Sequence, residues 1–149
     1  MEYMENSPFV VAVCISEIKG TIKKTVPEII LKENYGITGD AHAGDKTRQV
    51  SLLASESVDK LRSKIQDLKP GVFAENILTT GIGLHKQPIG TKLYINDTIL
   101  EITQIGKACH NDGCAIKQQT GECVMPSEGV FAKVLKGGMI KPGDCISLK

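Results

Sequence analysis

The chain contains no tryptophan, and aromatic residues make up only 4% of its 149 residues. Proteins that bind single-stranded nucleic acids stack bases on aromatic side chains, so this composition disfavours that function. An excess of one charge is also missing, because eighteen basic and seventeen acidic residues leave a net charge of +1. Such a balance creates no broad field for polyanions or lipid headgroups, and we therefore expect no nucleic-acid partner and no membrane partner.

Long apolar runs and a secretory signal are missing as well. No stretch approaches the roughly 18 apolar residues of a membrane-spanning helix, and residues 1–8 have neither a basic start nor an apolar core. We expect these eight residues to be a flexible terminus and residues 9–149 to form a single domain, which is an ordinary length for one domain.

The cysteines are odd in number: Cys14, Cys109, Cys114, Cys123 and Cys145. An odd set without a signal favours free thiols in a reducing compartment over a disulfide framework, so we expect a cytoplasmic protein. Cys14 and Cys145 lie within apolar or β-branched segments, and we expect both to pack as small hydrophobic side chains.

Short β-branched segments separated by turn residues dominate the hydrophobic pattern. They predict strands at 9–18, 28–33, 49–53, 72–78 and 145–148, and a hairpin at 92–103 that turns at Asn96. Residues 55–68 have the spacing of a helix, and residues 129–136 are predicted to form a second helix with a glycine cap at Gly137-Gly138. Regular βαβ alternation is missing, so we predict a mostly β fold: a closed or partly open antiparallel β-barrel with a few peripheral helices.

Two glycine-rich or polar segments interrupt this pattern. In GITGDAHAGDKTR (36–48), glycines permit tight turns, and His42 and Arg48 are candidates to meet an anionic group; the alternative is a surface loop held by turn hydrogen bonds. In FAENI (73–77), Glu75 and Asn76 interrupt an apolar strand. Because a strand has two faces, one of them should point inward unless a bulge intervenes. The alternative is an edge strand with both residues in water.

The richest segment is GKACHNDGCAIKQQTGECVM (106–125), which contains three of the five cysteines. A thiol here suits a nucleophile or a soft metal ligand, and Lys107 would favour its thiolate. One alternative is a structural zinc site that recruits His110 and the cysteines, and another is a redox pair of Cys109 with Cys114 or Cys123. The spacing fits neither a zinc ribbon nor a CxxC redox site.

Taken in order, the segments GITGDAHAG, RQVSLL, FAENILTTGI, IGTKLYI, ILEITQIGKAC and the GG-x-I-x-PGD near the end resemble the MOSC domain. That family is named for the C-terminal domain of molybdenum cofactor sulfurases, and this version is most similar to the small stand-alone prokaryotic type. The resemblance covers the chain from about residue 10 to the end and implies a largely β, barrel-like fold.

The resemblance also implies one working cysteine, which follows the Gly-Lys segment and precedes a Thr-Gly turn. Cys114 matches that position best, and Cys109 is the second candidate. The family cysteine carries a persulfide or binds molybdenum directly, which suits a soft, nucleophilic thiolate. The implied cofactor is the molybdenum cofactor (molybdopterin). Its phosphate calls for cationic and N–H donors. The candidate cofactor-binding residues are Arg48, Lys107, His42, Asn76 and Glu75.

The function that the resemblance implies is a sulfur carrier or cofactor-binding protein in molybdenum (or tungsten) cofactor metabolism. Its partners would be a cysteine desulfurase or another sulfur donor, and cofactor biosynthesis proteins or molybdoenzymes. Pyridoxal phosphate binding is a further association of the family. Alternatives are a small molybdenum-cofactor oxidoreductase that reduces N-hydroxylated compounds, and a zinc-stabilised non-catalytic interaction domain. Larger relatives have an additional N-terminal barrel, so with few residues before the first predicted strand we expect an accessory role.

Overall fold

The computed structural model describes residues 8–17, 23–41, 43–44, 49–59, 70, 75–106 and 129–148. Strands account for 53% of these residues. Helical structure in the same ranges consists of α1 (Ser55–Asp59) and one 3-10 turn (Leu84–Lys86). The predicted mostly β fold with few helices is therefore confirmed.

The strands are short, as the turn-rich sequence predicts. In chain order they are β1 (Phe9–Ile15), β2 (Lys24–Val26), β3 (Ile29–Lys32), β4 (Gly36–Ile37), β5 (Val50–Ala54), β6 (Ile77–Thr80), β7 (Lys92–Ile95), β8 (Thr98–Ile105), β9 (Val130–Lys136), β10 (Gly138–Ile140) and β11 (Ser147–Leu148). Eight of them form one sheet in the order β11-β7-β8-β9-β5-β6-β1-β2, and β10-β3-β4 form a smaller sheet.

The large sheet is antiparallel except at one ladder. Among the described strands, only β5 and β6 pair in parallel. The first residues of β1 curl round to meet the chain just before β11: the Val10 N–H donates to the Asp144 carbonyl oxygen (2.9 Å), and the Gly143 N–H donates to the Val10 carbonyl oxygen (2.7 Å). These bonds give the sheet the curled form of a partly open barrel.

The core lies inside this curl. Alternate residues of β8 face inward, so that Leu100 and Ile102 are fully buried while Glu101 is partly exposed. Burying each such aliphatic side chain contributes about 1.5–3 kcal/mol. One face of the small sheet packs onto the same core, through Ile29 and Leu31.

One predicted helix is wrong. Residues 129–136 form β9, which pairs with β8 on one side and β5 on the other. A short apolar run cannot distinguish a buried strand from a helix by its period, and here two neighbouring strands decide the outcome. Gly138 is not a helix cap. A Cβ there would lie 2.5 Å from the Thr98 Oγ1, so glycine is what permits β10 to turn back past β8.

The other expectations fare better. The predicted hairpin is β7–β8, with Asn96 at a φ of 55°. The predicted 55–68 helix begins as α1, and its remainder lies outside the described residues. The short strands β2, β4 and β10 were not predicted. In the described ranges, no helix is long and apolar enough to cross a membrane.

Glu56 joins α1 to the end of β6. Its Oε2 accepts hydrogen bonds from the Thr80 hydroxyl (3.0 Å) and the Gly81 N–H (2.8 Å). Partial burial acts to raise the pKa of this carboxyl, but the hydrogen bonds from Gly81, Thr80 and Ser55 favour the ionised form and lower the pKa overall. A lowered pKa means stability that is present above the ordinary value of 4.5 and is lost as the pH falls.

We therefore expect Glu56→Gln to lower the free energy of unfolding at pH 7 by no more than about 1 kcal/mol, because solvent screens this exposed group. The difference from the wild type should shrink as the pH falls below 4.5. Urea denaturation across this pH range measures it, with the exposed Glu33→Gln as the control. An equal difference at acidic and neutral pH would contradict the assignment.

Candidate functional site

Buried polar residues gather at one end of the large sheet, where β1 and β8 end and β6 and β9 begin. The registers show this convergence, because Val13 lies opposite Ile77, Ile77 beside Leu52, Leu52 opposite Val130, and Val130 opposite Ile105. Just beyond this row lie the residues that we call the polar end. They are Cys14, Ser16, Lys23, Asp40, Ser51, Glu75 and Asn76.

Asn76 holds three segments of this end together. Its Nδ2 donates to the Cys14 carbonyl oxygen (3.0 Å), and its Oδ1 accepts from the Ser51 N–H (3.0 Å) and the Ser51 hydroxyl (3.1 Å). The backbone adds a hydrogen bond from the Cys14 N–H to the Asn76 carbonyl oxygen, at 2.7 Å. The side chain is fully buried, so these partners satisfy its amide where water cannot.

Glu75 is also buried, with 1% of its surface exposed. The alternative of an exposed edge strand, with both residues in water, is therefore wrong. Both residues lie just before β6 begins, and the backbone bonds of Asn76 to β1 and β5 enclose them. The prediction that one of the two points inward is exceeded, because both are buried; neither lies in a strand, so the alternation of strand faces does not separate them.

A buried ion pair lies beside them. The Lys23 Nζ is 2.8 Å from the Asp40 Oδ1, and neither side chain is exposed. Lys23 also donates to the Ser16 hydroxyl (3.2 Å), and the Ser16 N–H donates to the same Asp40 oxygen (3.1 Å). Sequence reasoning missed Lys23, because nothing in IKKTV distinguishes the lysine at position 23 from the one at position 24.

The described part of the glycine-rich segment, residues 36–41 and 43–44, turns back on itself at the polar end. The Gly44 N–H donates to the Tyr35 carbonyl oxygen (2.7 Å), which closes the loop on itself. Gly36 has a φ of 126°, and a Cβ on it would lie 2.9 Å from the Gln49 carbonyl oxygen, so only glycine fits. This contact brings the start of the loop against the residue that follows Arg48. Arg48 and His42 themselves lie outside the described residues.

Gly106 and Gly129, which flank the cysteines at 109, 114 and 123, lie at the polar end. The Gly106 N–H donates to the Gly129 carbonyl oxygen at 2.6 Å, and the Gln104 Nε2 donates to the Gly106 carbonyl oxygen at 2.8 Å. Residues 107–128 connect these two glycines and lie outside the described residues. They include the predicted site residues Lys107, Cys109 and Cys114, whose assignments stay predictions.

The two described cysteines have different surroundings. Cys14 is fully buried, and burial raises the pKa of its thiol to about 12, with Glu75 raising it further and Lys23 opposing the effect. Its predicted packing role is confirmed. Cys145 is exposed, so the packing predicted for it is wrong. It forms only an isolated bridge with Phe9 at the opposite end of β1.

Metal ligands do not cluster in the part of the chain that the structure describes. No group of three or more His, Cys, Asp or Glu side chains there could hold a metal ion. The ligands of the alternative zinc site, Cys109, His110, Cys114 and Cys123, all fall outside the described ranges.

The three side-chain hydrogen bonds of Asn76 give a stability prediction. We expect Asn76→Ala to lower the free energy of unfolding by about 3 kcal/mol, because it strands the buried Ser51 N–H and Cys14 carbonyl oxygen. The matched control is Gln87→Ala, whose amide makes an exposed hydrogen bond to the Gly83 carbonyl oxygen (3.4 Å) and whose backbone lies in an ordinary extended conformation. Urea denaturation measures both. A loss of unfolding free energy below about 1 kcal/mol for Asn76→Ala would show that this side chain does not hold the strand ends together.

The raised pKa of Cys14 gives a pH prediction. The unfolded thiol ionises near 9.0 and the folded thiol near 12, so stability is present below pH 9 and is lost as the pH rises towards 12. We expect Cys14→Ala to weaken this fall, and Cys145→Ala, which changes an exposed thiol, to leave it unchanged. Urea denaturation from pH 8 to pH 11 tests this. Parallel curves for the wild type and Cys14→Ala would contradict it.

Solved structures of other proteins have the same fold. The YuaD protein from Bacillus subtilis matches with a TM-score of 0.77 at 17% identity, covering 95% of this chain and 95% of that chain. YiiM from Geobacillus stearothermophilus matches with a TM-score of 0.70 at 15% identity, covering 95% and 75% of the two chains. For YiiM from Escherichia coli the values are 0.58, 18%, 96% and 68%. No curated protein is significantly similar in sequence.

A family model describes most of the chain. The model of the MOSC domain matches residues 39–147, a range that begins in the loop containing Asp40 and includes Glu75, Asn76 and the whole of 107–128. MOSC domains are associated with molybdenum cofactor sulfurase-type proteins. The fold predicted from the resemblance agrees with the curled sheet described above, and the chain therefore belongs to the MOSC domain family.

Proposed function

We propose that this protein handles the molybdenum (or tungsten) cofactor through the thiolate of Cys114, as a sulfur carrier or a cofactor-binding protein. The observation that carries the proposal is the convergence at the polar end. The loop 36–44, the buried Glu75 and Asn76, and the glycines that flank 107–128 all lie where the same strands begin or end. Segments far apart in sequence thus share one region of the fold.

The environments of the described thiols support a cysteine within 107–128. Cys14 is buried and protonated at neutral pH, and a protonated thiol is a poor nucleophile. Cys145 lies at the other end of β1, opposite Phe9. The remaining thiols are Cys109, Cys114 and Cys123, and the family resemblance favours Cys114, with Cys109 second.

The donor set fits an anionic, sulfur-rich cofactor in its chemistry. A thiolate is a soft ligand for molybdenum, and Arg48, Lys107 and His42 are the cations for a phosphate. Lys23, the buried lysine at the polar end, does not meet that need, because its ammonium is already bonded to Asp40. In this proposal Asn76 holds the surrounding strand ends in place, and the buried Glu75 contributes negative charge beside Cys14 without contacting the pterin. When bound, the cofactor would supply a metal centre for oxygen- or sulfur-atom transfer.

Sulfur loading needs no added oxidant. The Cys114 thiolate attacks the outer sulfur of a persulfide on a donor protein, such as a cysteine desulfurase. A new S–S bond forms between Cys114 and the outer sulfur, the donor's S–S bond breaks, and the cysteine of the donor protein leaves as a thiolate. Cofactor biosynthesis proteins or molybdoenzymes would be the acceptors. Free thiols of this kind need a reducing compartment such as the cytoplasm.

The test is to purify the protein from a cofactor-producing host and to measure molybdenum, tungsten, pterin and cyanide-releasable sulfur. We expect sulfur or cofactor on the wild type, loss to background in Cys114→Ser, and wild-type levels in the matched controls Cys109→Ser and Cys145→Ser. The thiol is the ligand or nucleophile, so the hydroxyl cannot replace it.

Other results would redirect or overturn the assignment. Unchanged sulfur loading and cofactor content in Cys114→Ser would show that Cys114 is not the working thiol. Stoichiometric zinc without pterin would favour the zinc-stabilised interaction domain. Bound cofactor together with reduction of N-hydroxylated compounds would favour the oxidoreductase.

A further inference from the structure

The ion pair of Lys23 and Asp40 joins two segments that no strand ladder joins directly. Lys23 directly precedes β2, and Asp40 lies in the glycine-rich loop after β4. The ammonium donates both to Asp40 and to the hydroxyl of Ser16, and the Ser16 N–H donates to the same carboxylate oxygen. Three segments of the chain therefore meet at one buried carboxylate.

Net stability is a weak reason for such a pair. Removing two charges from water costs several kcal/mol, and a well-packed apolar pair of similar volume is often equally stable. The ion pair instead constrains geometry, because its hydrogen bonds form in only one arrangement of the groups. A buried pair of this kind can fix one conformation among several that packing alone would allow.

The conformation that it fixes is that of the loop on both sides of Asp40. The Asp40 N–H donates to the Ile37 carbonyl oxygen (3.1 Å), and the Ala43 N–H donates to the Asp40 carbonyl oxygen (3.2 Å). The Ala41 N–H donates to the Ser16 carbonyl oxygen (2.7 Å). The backbone is thus attached to the end of β1 just before His42.

We propose that Lys23 is a positioning residue. Through Asp40, its ammonium holds the loop 36–44 in a single arrangement against the end of β1, and this arrangement sets the geometry with which the loop meets an anionic ligand. The ligand part of this inference rests on the proposed function. The ordering of the loop by Lys23 does not.

The experiment compares Lys23→Met with the wild type by hydrogen exchange and by bound pterin after purification from a cofactor-producing host. We expect backbone amides of residues 37–44 to exchange about tenfold faster or more, while those of β7 and β8 keep their wild-type rates. Bound pterin should fall in parallel. The matched control is Lys133→Met, which removes a half-exposed ion pair with Glu101 (3.2 Å) elsewhere in the sheet and should change neither measurement.

Lys23→Met leaves a buried carboxylate without its ammonium and is at risk of unfolding. The double variant Lys23→Met with Asp40→Asn removes both charges, and we expect it to fold and still to show fast exchange in 37–44. Lys23→Arg keeps the positive charge and N–H donors for Asp40 and Ser16, so it should retain most of the loop's protection. That rescue is what a general loss of stability would not produce.

Wild-type exchange of the loop in folded Lys23→Met or in the double variant would overturn the inference, and so would an equal acceleration throughout the sheet. A loosened loop with wild-type pterin content would show that Lys23 orders the loop without positioning a ligand, which also overturns it. If the wild type carries neither pterin nor cyanide-releasable sulfur, the proposed function fails. Whenever the wild type binds no pterin, the exchange rates alone decide the role of Lys23.

Discussion

The buried carboxamide of Asn76 is the contact on which the candidate site depends. An amide has both an acceptor oxygen and a donor nitrogen. Here the oxygen accepts a hydrogen bond from Ser51 in β5, and the nitrogen donates one to Cys14 in β1. β6 begins at the next residue. Because β5 and β6 run parallel, no tight turn joins them, and the amide supplies a direct link at their first residues. The ends of these strands then provide fixed positions for the loops around them.

Charged side chains lie near the Asn76 amide at the polar end. Two carboxylates, Asp40 and Glu75, and one ammonium, Lys23, are buried close to a neutral thiol. Burial raises the pKa of Cys14 and keeps its thiol protonated at neutral pH; the carboxylate of Glu75 adds to this effect, and Lys23 opposes it. The polar end therefore separates its groups by role: Cys14 is inert, and Lys23 and Asp40 organise the loop. In the proposed function, the reactive thiol belongs to residues 107–128 and not to β1.

Much of the sheet was predictable from local pattern, because period-2 alternation and turn residues directly indicate strands such as β1, β3 and β8. β9 was not predictable, since its apolar residues suit a helix equally well until β5 and β8 flank it. The burial of Glu75 and Asn76 was indicated by their position within an apolar run. Lys23 gave no signal, because its partner lies in a distant loop and only the folded chain brings the two together. The choice among three cysteines came from resemblance, since spacing alone favoured none of them.

The hydrogen bond between Gly106 and Gly129 has a consequence for how such proteins diversify. The two glycines lie just beyond the last pair of β8 and β9, so this bond holds together the two ends of residues 107–128. The entropy of closing a loop grows only with the logarithm of its length, so doubling the length of a connecting segment costs only about 0.6 kcal/mol. Segments of different length can therefore join β8 to β9 at little cost to the folding of the sheet.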